Sequence, residues 1–228
     1  MKETMSFLDQ LMRNNNREWF NAHKAEYKHI QEKFNAFSLR LMEAVAAFDT
    51  DVCGLELKDC TYRIYRDIRF SSDKRPYKNH LGCFICKGGK KSGNGGYYFH
   101  IEPAEADYIG GNLLAAGMYA PTKEQLEHIR HEIIYDGELF DKAVKKAKSW
   151  CFSEGSFLKR VPNGLPKDSE YSDYLRLKDY TLMQDLPDNI LFGDEDKLLA
   201  YVVKQFKLVK DYNHWLNEAA EVQGSQNW

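Results

Sequence analysis

No proline interrupts the chain between Arg17 and Phe48, and large side chains return every three or four residues: Trp19, Phe20, His23, Tyr27, Ile30, Phe34, Phe37, Leu41 and Val45. Only a helix puts such a set on one stripe. The spacing predicts a long amphipathic helix, bent near Lys24, whose stripe must be covered by an apolar partner. A shorter helix precedes it over Met5 to Met12, with Phe7, Leu8, Leu11 and Met12 in register. Asn14 to Asn16 separate the two. Asparagine caps a following helix well, because its side-chain oxygen accepts from an orphan backbone N–H.

From Thr61 the period changes to two. Residues 61–70, 81–87, 95–102 and 106–114 read as strands, and the glycine- and lysine-rich segment 88–96 reads as a hairpin tip. Thr122 and Gln125 form a capping box that opens a helix through Leu126, Ile129, Ile133 and Ile134, punctuated by Gly137 and followed by another to Trp150. Residues 157–161 and 174–183 read as extended. Asp194 caps a final helix to Ala220, with Leu198, Val202, Phe206 and Trp215 on its buried side. The tail from residue 222 is expected to fray. No repeat or long polar linker divides the chain. Residues 1–228 are therefore expected to form a single α+β domain, a central, mostly antiparallel sheet flanked by long N-terminal and C-terminal helices.

Composition narrows the class. Hydrophobic residues at 43% and charged residues at 29% suit a soluble globular protein. No run approaches the roughly 18 apolar residues that span a bilayer. The N-terminus lacks the apolar core of a secretory signal, so a cytoplasmic location is expected. Five cysteines, an odd number, argue against a complete disulfide framework. The net charge of -2 conceals an asymmetry: residues 62–91 hold nine Lys or Arg against two Asp. A basic island in an otherwise acidic chain points to a focused site for an anion.

The island centres on RIYRDIRFSSDKRPYK, Arg63 to Lys78. In a straight strand Arg63, Tyr65, Asp67 and Arg69 line one face, and Ile64, Arg66, Ile68 and Phe70 the other. A buried Arg66 then needs a distant carboxylate or a bulge that re-aims it. Residues 71–78 read as a polar loop. Arg63, Arg66 and Arg69, with Lys74 and Lys78, exceed what Asp67 and Asp73 neutralise, and guanidinium forks match carboxylate or phosphate. The expected ligand is an anionic, phosphate-bearing or nucleotide-like small molecule. The rival is a network of structural ion pairs with acids elsewhere in the chain.

The pattern Arg63-x-x-Arg66-Asp67-x-Arg69-Phe70 followed by Asp73-Lys74-x-x-Tyr77 resembles the signature of domain of unknown function 2461, an uncharacterised, mainly bacterial family. Asn15-Asn16-Arg17-Glu18-Trp19-Phe20 and Tyr97-Tyr98-Phe99-His100-Ile101-Glu102-Pro103 are similar to that family as well. The resemblance spans nearly the whole chain and carries no known reaction. From the residues themselves, Arg63, Arg66, Asp67, Arg69, Asp73, Lys74, Tyr77 and Lys78 are expected to form the ligand-binding site.

His100 and Glu102 sit two apart on a strand, sharing a face with Tyr98, and a histidine beside a carboxylate suits acid–base work. If the sheet is a meander, that face adjoins the basic segment. Cys83 and Cys86 form a lone CxxC whose thiols point to opposite faces of a strand, so no metal and no cofactor is expected. The leading expectation is an anion-binding protein compatible with an enzyme. The alternatives are a nucleic-acid-binding module and a protein-interaction domain braced by arginines.

Overall fold

The structure, a computed structural model, describes residues 1–221. Helices α1 (Lys2–Arg13), α2 (Arg17–Ala22), α3 (Lys24–Ala46) and the short α4 (Leu57–Cys60) precede strands β1 (Leu81–Cys86), β2 (Gly96–Ile101) and β3 (Leu113–Met118). Helix α5 (Lys123–Lys146) leads to β4 (Cys151–Phe152), α6 (Ser172–Leu175), β5 (Tyr180–Asp185), α7 (Asp188–Leu191), α8 (Glu195–Leu208) and α9 (Lys210–Ala220). The sheet is antiparallel throughout, in the order β1-β2-β3-β5-β4. The class is α+β, with helices at both ends of the chain around the sheet. The expected tail, Val222 to Trp228, lies outside the described residues.

Local chemistry sets the helix ends. The Asn16 side chain accepts from Trp19 N at 2.9 Å and starts α2. The long predicted helix breaks at His23, whose backbone leaves helical geometry at φ -104°, ψ 17°. There the His23 ring stacks on Trp19 and its Nδ1 donates to the Trp19 carbonyl at 2.8 Å. Both halves of the Thr122–Gln125 capping box are present. Helix α5 breaks at Asp136, one residue before Gly137, where a Cβ would stand 2.2 Å from the Tyr171 ring. Asp194 caps α8 through Lys197 N, and Val209 separates α8 from α9.

Register alternation gives the sheet two different faces. Tyr97, Phe99 and Ile101 of β2 share a face with Leu114, Ala116 and Met118 of β3 and with Tyr180 and Leu182 of β5. All are buried, and they meet Phe34 and Phe37 of α3, Phe140 of α5 and Phe206 of α8. This is the cover that the amphipathic stripe of α3 requires. The opposite face presents Gly82, Phe84, Tyr98, His100 and Ala115, and the irregular segments 61–80 and 103–112 pack near it.

Three expected strands are corrected. Residues 61–70 form no strand. They touch β1 at the single bridge Thr61–Cys83 and fold back on themselves through Tyr65–Tyr77, Lys78 N to Ile64 O and Arg66 N to Pro76 O. Asp67 accepts from Arg69 N, and Asp73 from Arg75 N, so side chains take donors a ladder would need. Phe70 is not a core residue; it is 96% exposed. The third strand begins at Leu113 rather than Ala106, because Glu102 claims the N–H groups of Ile109, Gly110 and Gly111. Residues 157–161 make only the bridge Phe157–Leu177, and β4 at Cys151–Phe152 pairs with β5 instead. Within the expected extended stretch 174–183, a turn of helix precedes β5.

One position tests the sheet. Gly117 in β3 has φ +108°, and a Cβ there would lie 2.0 Å from the Tyr180 carbonyl oxygen of β5. Gly117→Ala is expected to cost about 3 kcal/mol or more in urea unfolding. Asn16→Ala, which removes only a cap, is expected to cost about 1 kcal/mol.

Candidate functional site: a basic segment beside a buried histidine–glutamate pair

The basic segment is clamped to the N-terminal helices. Asn15 exchanges two hydrogen bonds with the Tyr77 backbone, accepting from its N–H at 3.1 Å and donating to its carbonyl at 2.9 Å. Phe20 stacks on the Tyr77 ring at 3.9 Å between centroids. Asp73 anchors the loop interior. It pairs with Arg66, and it accepts from the Arg75 backbone at 3.0 Å and from the Arg75 guanidinium at 2.6 Å. Arg75 also reaches Asp107 at 2.5 Å, tying this loop to segment 103–112. Arg75, then Arg66, hold the Asp73 carboxyl far below the usual carboxylate range.

The cations thus divide into two groups. Arg66, Arg69 and Arg75 each face a native acid: Arg66 meets Asp73, Arg69 meets Asp67 at 2.7 Å, and Arg75 meets Asp73 and Asp107. Lys74 Nζ donates to the Ile68 carbonyl at 3.1 Å. Arg63 and Lys78 have no ion pair among the described residues. Lys78 is half-buried, with Nζ 5.2 Å from the centre of the Tyr62 ring, and Lys90 approaches the same ring at 5.7 Å. Burial, then the charges of Arg63, Arg66 and Lys90, lower the Lys78 pKa.

His100 and Glu102 lie beside this group at 0% exposure. Glu102 Oε1 accepts from the consecutive N–H groups of Ile109, Gly110 and Gly111. Such a nest suits an anion. Burial pushes the Glu102 carboxyl up, but His100 and the Gly111 and Gly110 N–H groups outweigh it and hold the pKa below its ordinary value. His100 Nε2 stands 3.4 Å from Glu102 Oε2, and His100 Nδ1 is 2.8 Å from the Tyr98 hydroxyl. Tyr98 is only partly buried, so its phenol is the outward end of a Tyr98–His100–Glu102 chain. Burial, then Tyr108, raise the Tyr98 pKa well above that of free tyrosine. His80 stacks on Tyr108 at 4.2 Å and approaches His100 at 5.2 Å. Burial, then His100 and Lys78, lower the His80 pKa to about 3. His80 Nδ1, His100 Nε2 and Glu102 Oε2 are all buried without a well-formed hydrogen bond. Such a concentration of unsatisfied atoms is unusual in a folded chain and calls for an explanation.

Arg63 and Arg66 lie close enough to Lys78 to depress its pKa, and His80, which feels Lys78 and Arg66, links them to His100. Arg69, Asp67 and Lys74 sit at the exposed tip of the loop, and Tyr77 lies underneath as a brace. The sequence reading did not include Tyr62, His80 or Tyr108, which join the two halves. His80 had one available signal, its position two residues beyond Lys78 on an extended segment. Asn16 is occupied as a helix cap. Cys83 and Cys86 are buried free thiols. Two surface clefts, of ≈ 420 Å³ beside Glu3, Lys33 and Glu195 and of ≈ 260 Å³ beside Asp141, Glu170 and Asp173, include none of these residues. No helix among the described residues is long and apolar enough to cross a membrane.

Compared with models of protein families, residues 3–215 match one described as "Conserved hypothetical protein (DUF2461)". No curated protein and no solved structure gives a match.

The carboxylates of the loop set an acid limit. Asp73, Asp67 and Asp107 all have lowered pKa values in the fold, owing first to Arg75, Arg69 and Arg75 respectively. Their stabilisation is complete above the unfolded carboxylate pKa and is lost as pH falls through the folded values. The melting-temperature gap between wild type and Asp73→Asn is expected to stay constant from neutrality to about pH 5 and to shrink below about pH 4.

Proposed function

The chain belongs to the DUF2461 family, whose description names no reaction, and from its own side chains we propose that it binds a phosphate-bearing small molecule in a groove over the sheet. Lys78 and Arg63 hold the anion there, with Lys90 adding to the field and Tyr62 forming an apolar wall. The observation that carries this reading is the half-buried Lys78, crowded by cations and lacking a native carboxylate. Like charges gathered away from water are unfavourable unless a counterion answers them. Each charge-assisted hydrogen bond to a phosphate oxygen contributes about 1.5–3 kcal/mol.

The neighbouring Tyr98–His100–Glu102 chain supports an enzymatic reading. His100 and Glu102 are fully enclosed and do not touch a ligand in the groove; Tyr98 does. In this reading the phenol hydroxyl exchanges a proton with the bound molecule. His100, oriented by Glu102, accepts or returns that proton at Nδ1. Arg66, Arg69 and Arg75 act as braces, with Asp67, Asp73 and Tyr77 fixing the loop. A nucleic-acid partner is the second reading, favoured by Phe70 standing 96% exposed beside Arg69. It requires a log–log salt slope of about -0.9 per duplex phosphate contacted.

A thermal-shift series with inorganic phosphate, nucleoside monophosphates and short oligonucleotides tests the proposal. At 100-fold excess over Kd, a ligand of the native state raises the wild-type melting temperature by roughly 5–10 °C. Lys78→Met is expected to melt at or above wild type without ligand and to lose the response, while Arg69→Ala keeps it. Failure of every phosphate-bearing compound to stabilise wild type, or an undiminished response in Lys78→Met, contradicts the site.

A further inference from the structure

On the helix side of the sheet, away from the groove, a second group of ligating atoms converges where α3 ends. Asp49 and Asp51 flank the start of the short 3-10 turn Thr50–Val52, and His214 projects from α9. One ligating atom from each lies within 4.8 Å of the other two. His214 Nε2 is 3.1 Å from Asp49 Oδ1. Two ligands of one cation at bonds of about 2.0–2.2 Å and tetrahedral angles stand about 3.3–3.6 Å apart, so this separation suits a shared metal nearly as well as a hydrogen bond.

The surroundings point the same way. Asp49 is 3% exposed, and the Tyr97 hydroxyl donates to its other oxygen, Oδ2, at 2.7 Å. This is the outer contact that fixes a ligating carboxylate. Asn213, only 2% exposed, lies against the Tyr97 hydroxyl, yet neither its Nδ2 nor its Oδ1 forms a well-made hydrogen bond. A buried amide without a well-made hydrogen bond, next to the hydroxyl that holds Asp49, is an independent sign of a missing polar partner. Lys210 forms no ion pair with these acids; its Nζ donates to the Phe48 carbonyl at 2.8 Å. Two carboxylates and an imidazole supply the donors that a divalent ion requires, and Asp51 is exposed, leaving a solvent side.

The geometry points to a divalent transition-metal site formed by Asp49, Asp51 and His214, with Tyr97 orienting Asp49. The mixed nitrogen and oxygen donors suit Zn²⁺, Co²⁺ or Mn²⁺ better than a hard cation such as Ca²⁺. An ion here would tie the end of α3 to α9. No local pattern signals it, because Asp49 and His214 are 165 positions apart.

Titration of chelator-treated full-length protein with Co²⁺, followed by absorption and calorimetry, tests the site. One equivalent is expected to bind without the sulfur-to-metal charge-transfer band that cysteine ligation would add. Asp51→Asn and His214→Gln are expected to weaken binding about tenfold or more, and Tyr97→Phe by about tenfold. All three should keep the wild-type circular dichroism spectrum. Asp51 is exposed, so its variant guards against loss by misfolding. No binding by wild type, a thiolate band, or unchanged affinity in both Asp51→Asn and His214→Gln would overturn the assignment and leave Asp49–His214 as a plain brace.

Discussion

A carboxylate removed from water must find donors, and Glu102 finds three in the consecutive N–H groups of Ile109, Gly110 and Gly111. That interaction fixes much of what surrounds it. It keeps segment 103–112 out of the sheet, delays β3 until Leu113, and holds Tyr108 against His80. It leaves the second Glu102 oxygen facing His100, which in turn meets the Tyr98 hydroxyl. From the other side, Asp73 and Asp107 grip Arg75, so the two irregular segments are linked to each other as well as to the sheet. The proposed binding site lies where these two segments meet the sheet.

The division of the sheet into unlike faces explains why the groove lies where it does. One face is filled by aromatic and aliphatic side chains under α3, α5, α8 and α9, with rings such as Phe99 and Tyr97 fully enclosed. The other carries glycine, alanine and polar rings, and Gly82 is required because a Cβ there would stand 2.4 Å from the Tyr98 hydroxyl. Long helices cover the apolar face, while loops held by ion pairs lie over the polar one. Such loops position charge without burying it fully, which is the condition under which a cation stays charged and accessible.

Much of this was legible in the chain. The stripe from Trp19 to Val45 foretold α3, Thr122–Gln125 marked the start of α5, and the alternation around Tyr97–Ile101 marked β2. These signals are local, and local bonds satisfied them. Residues 61–70 misled because alternation of Ile64, Ile68 and Phe70 imitates a strand, while Asp67 and Asp73 divert the backbone into turns. The positive charge is unevenly distributed: Asp73 serves two arginines, and Arg63, Lys74 and Lys78 are left without an acid among the described residues. Asn15 and Phe20 read as helix-start residues, and only the fold shows them bracing Tyr77 from 62 and 57 positions away. The meeting of His80, Tyr62 and Tyr108, and of Asp49 with His214, depends on tertiary packing that no periodicity encodes.

The central claim is that unanswered cations in the groove take an oxyanion. The most direct measurement is a crystal structure of the protein soaked in tungstate, whose metal is located by anomalous scattering independently of the phases. The account predicts a peak within hydrogen-bonding reach of Lys78 Nζ and the Arg63 guanidinium, over the Tyr98 side of the sheet. Peaks confined to Arg69 at the loop tip or to lattice contacts, with none beside Lys78, would contradict it.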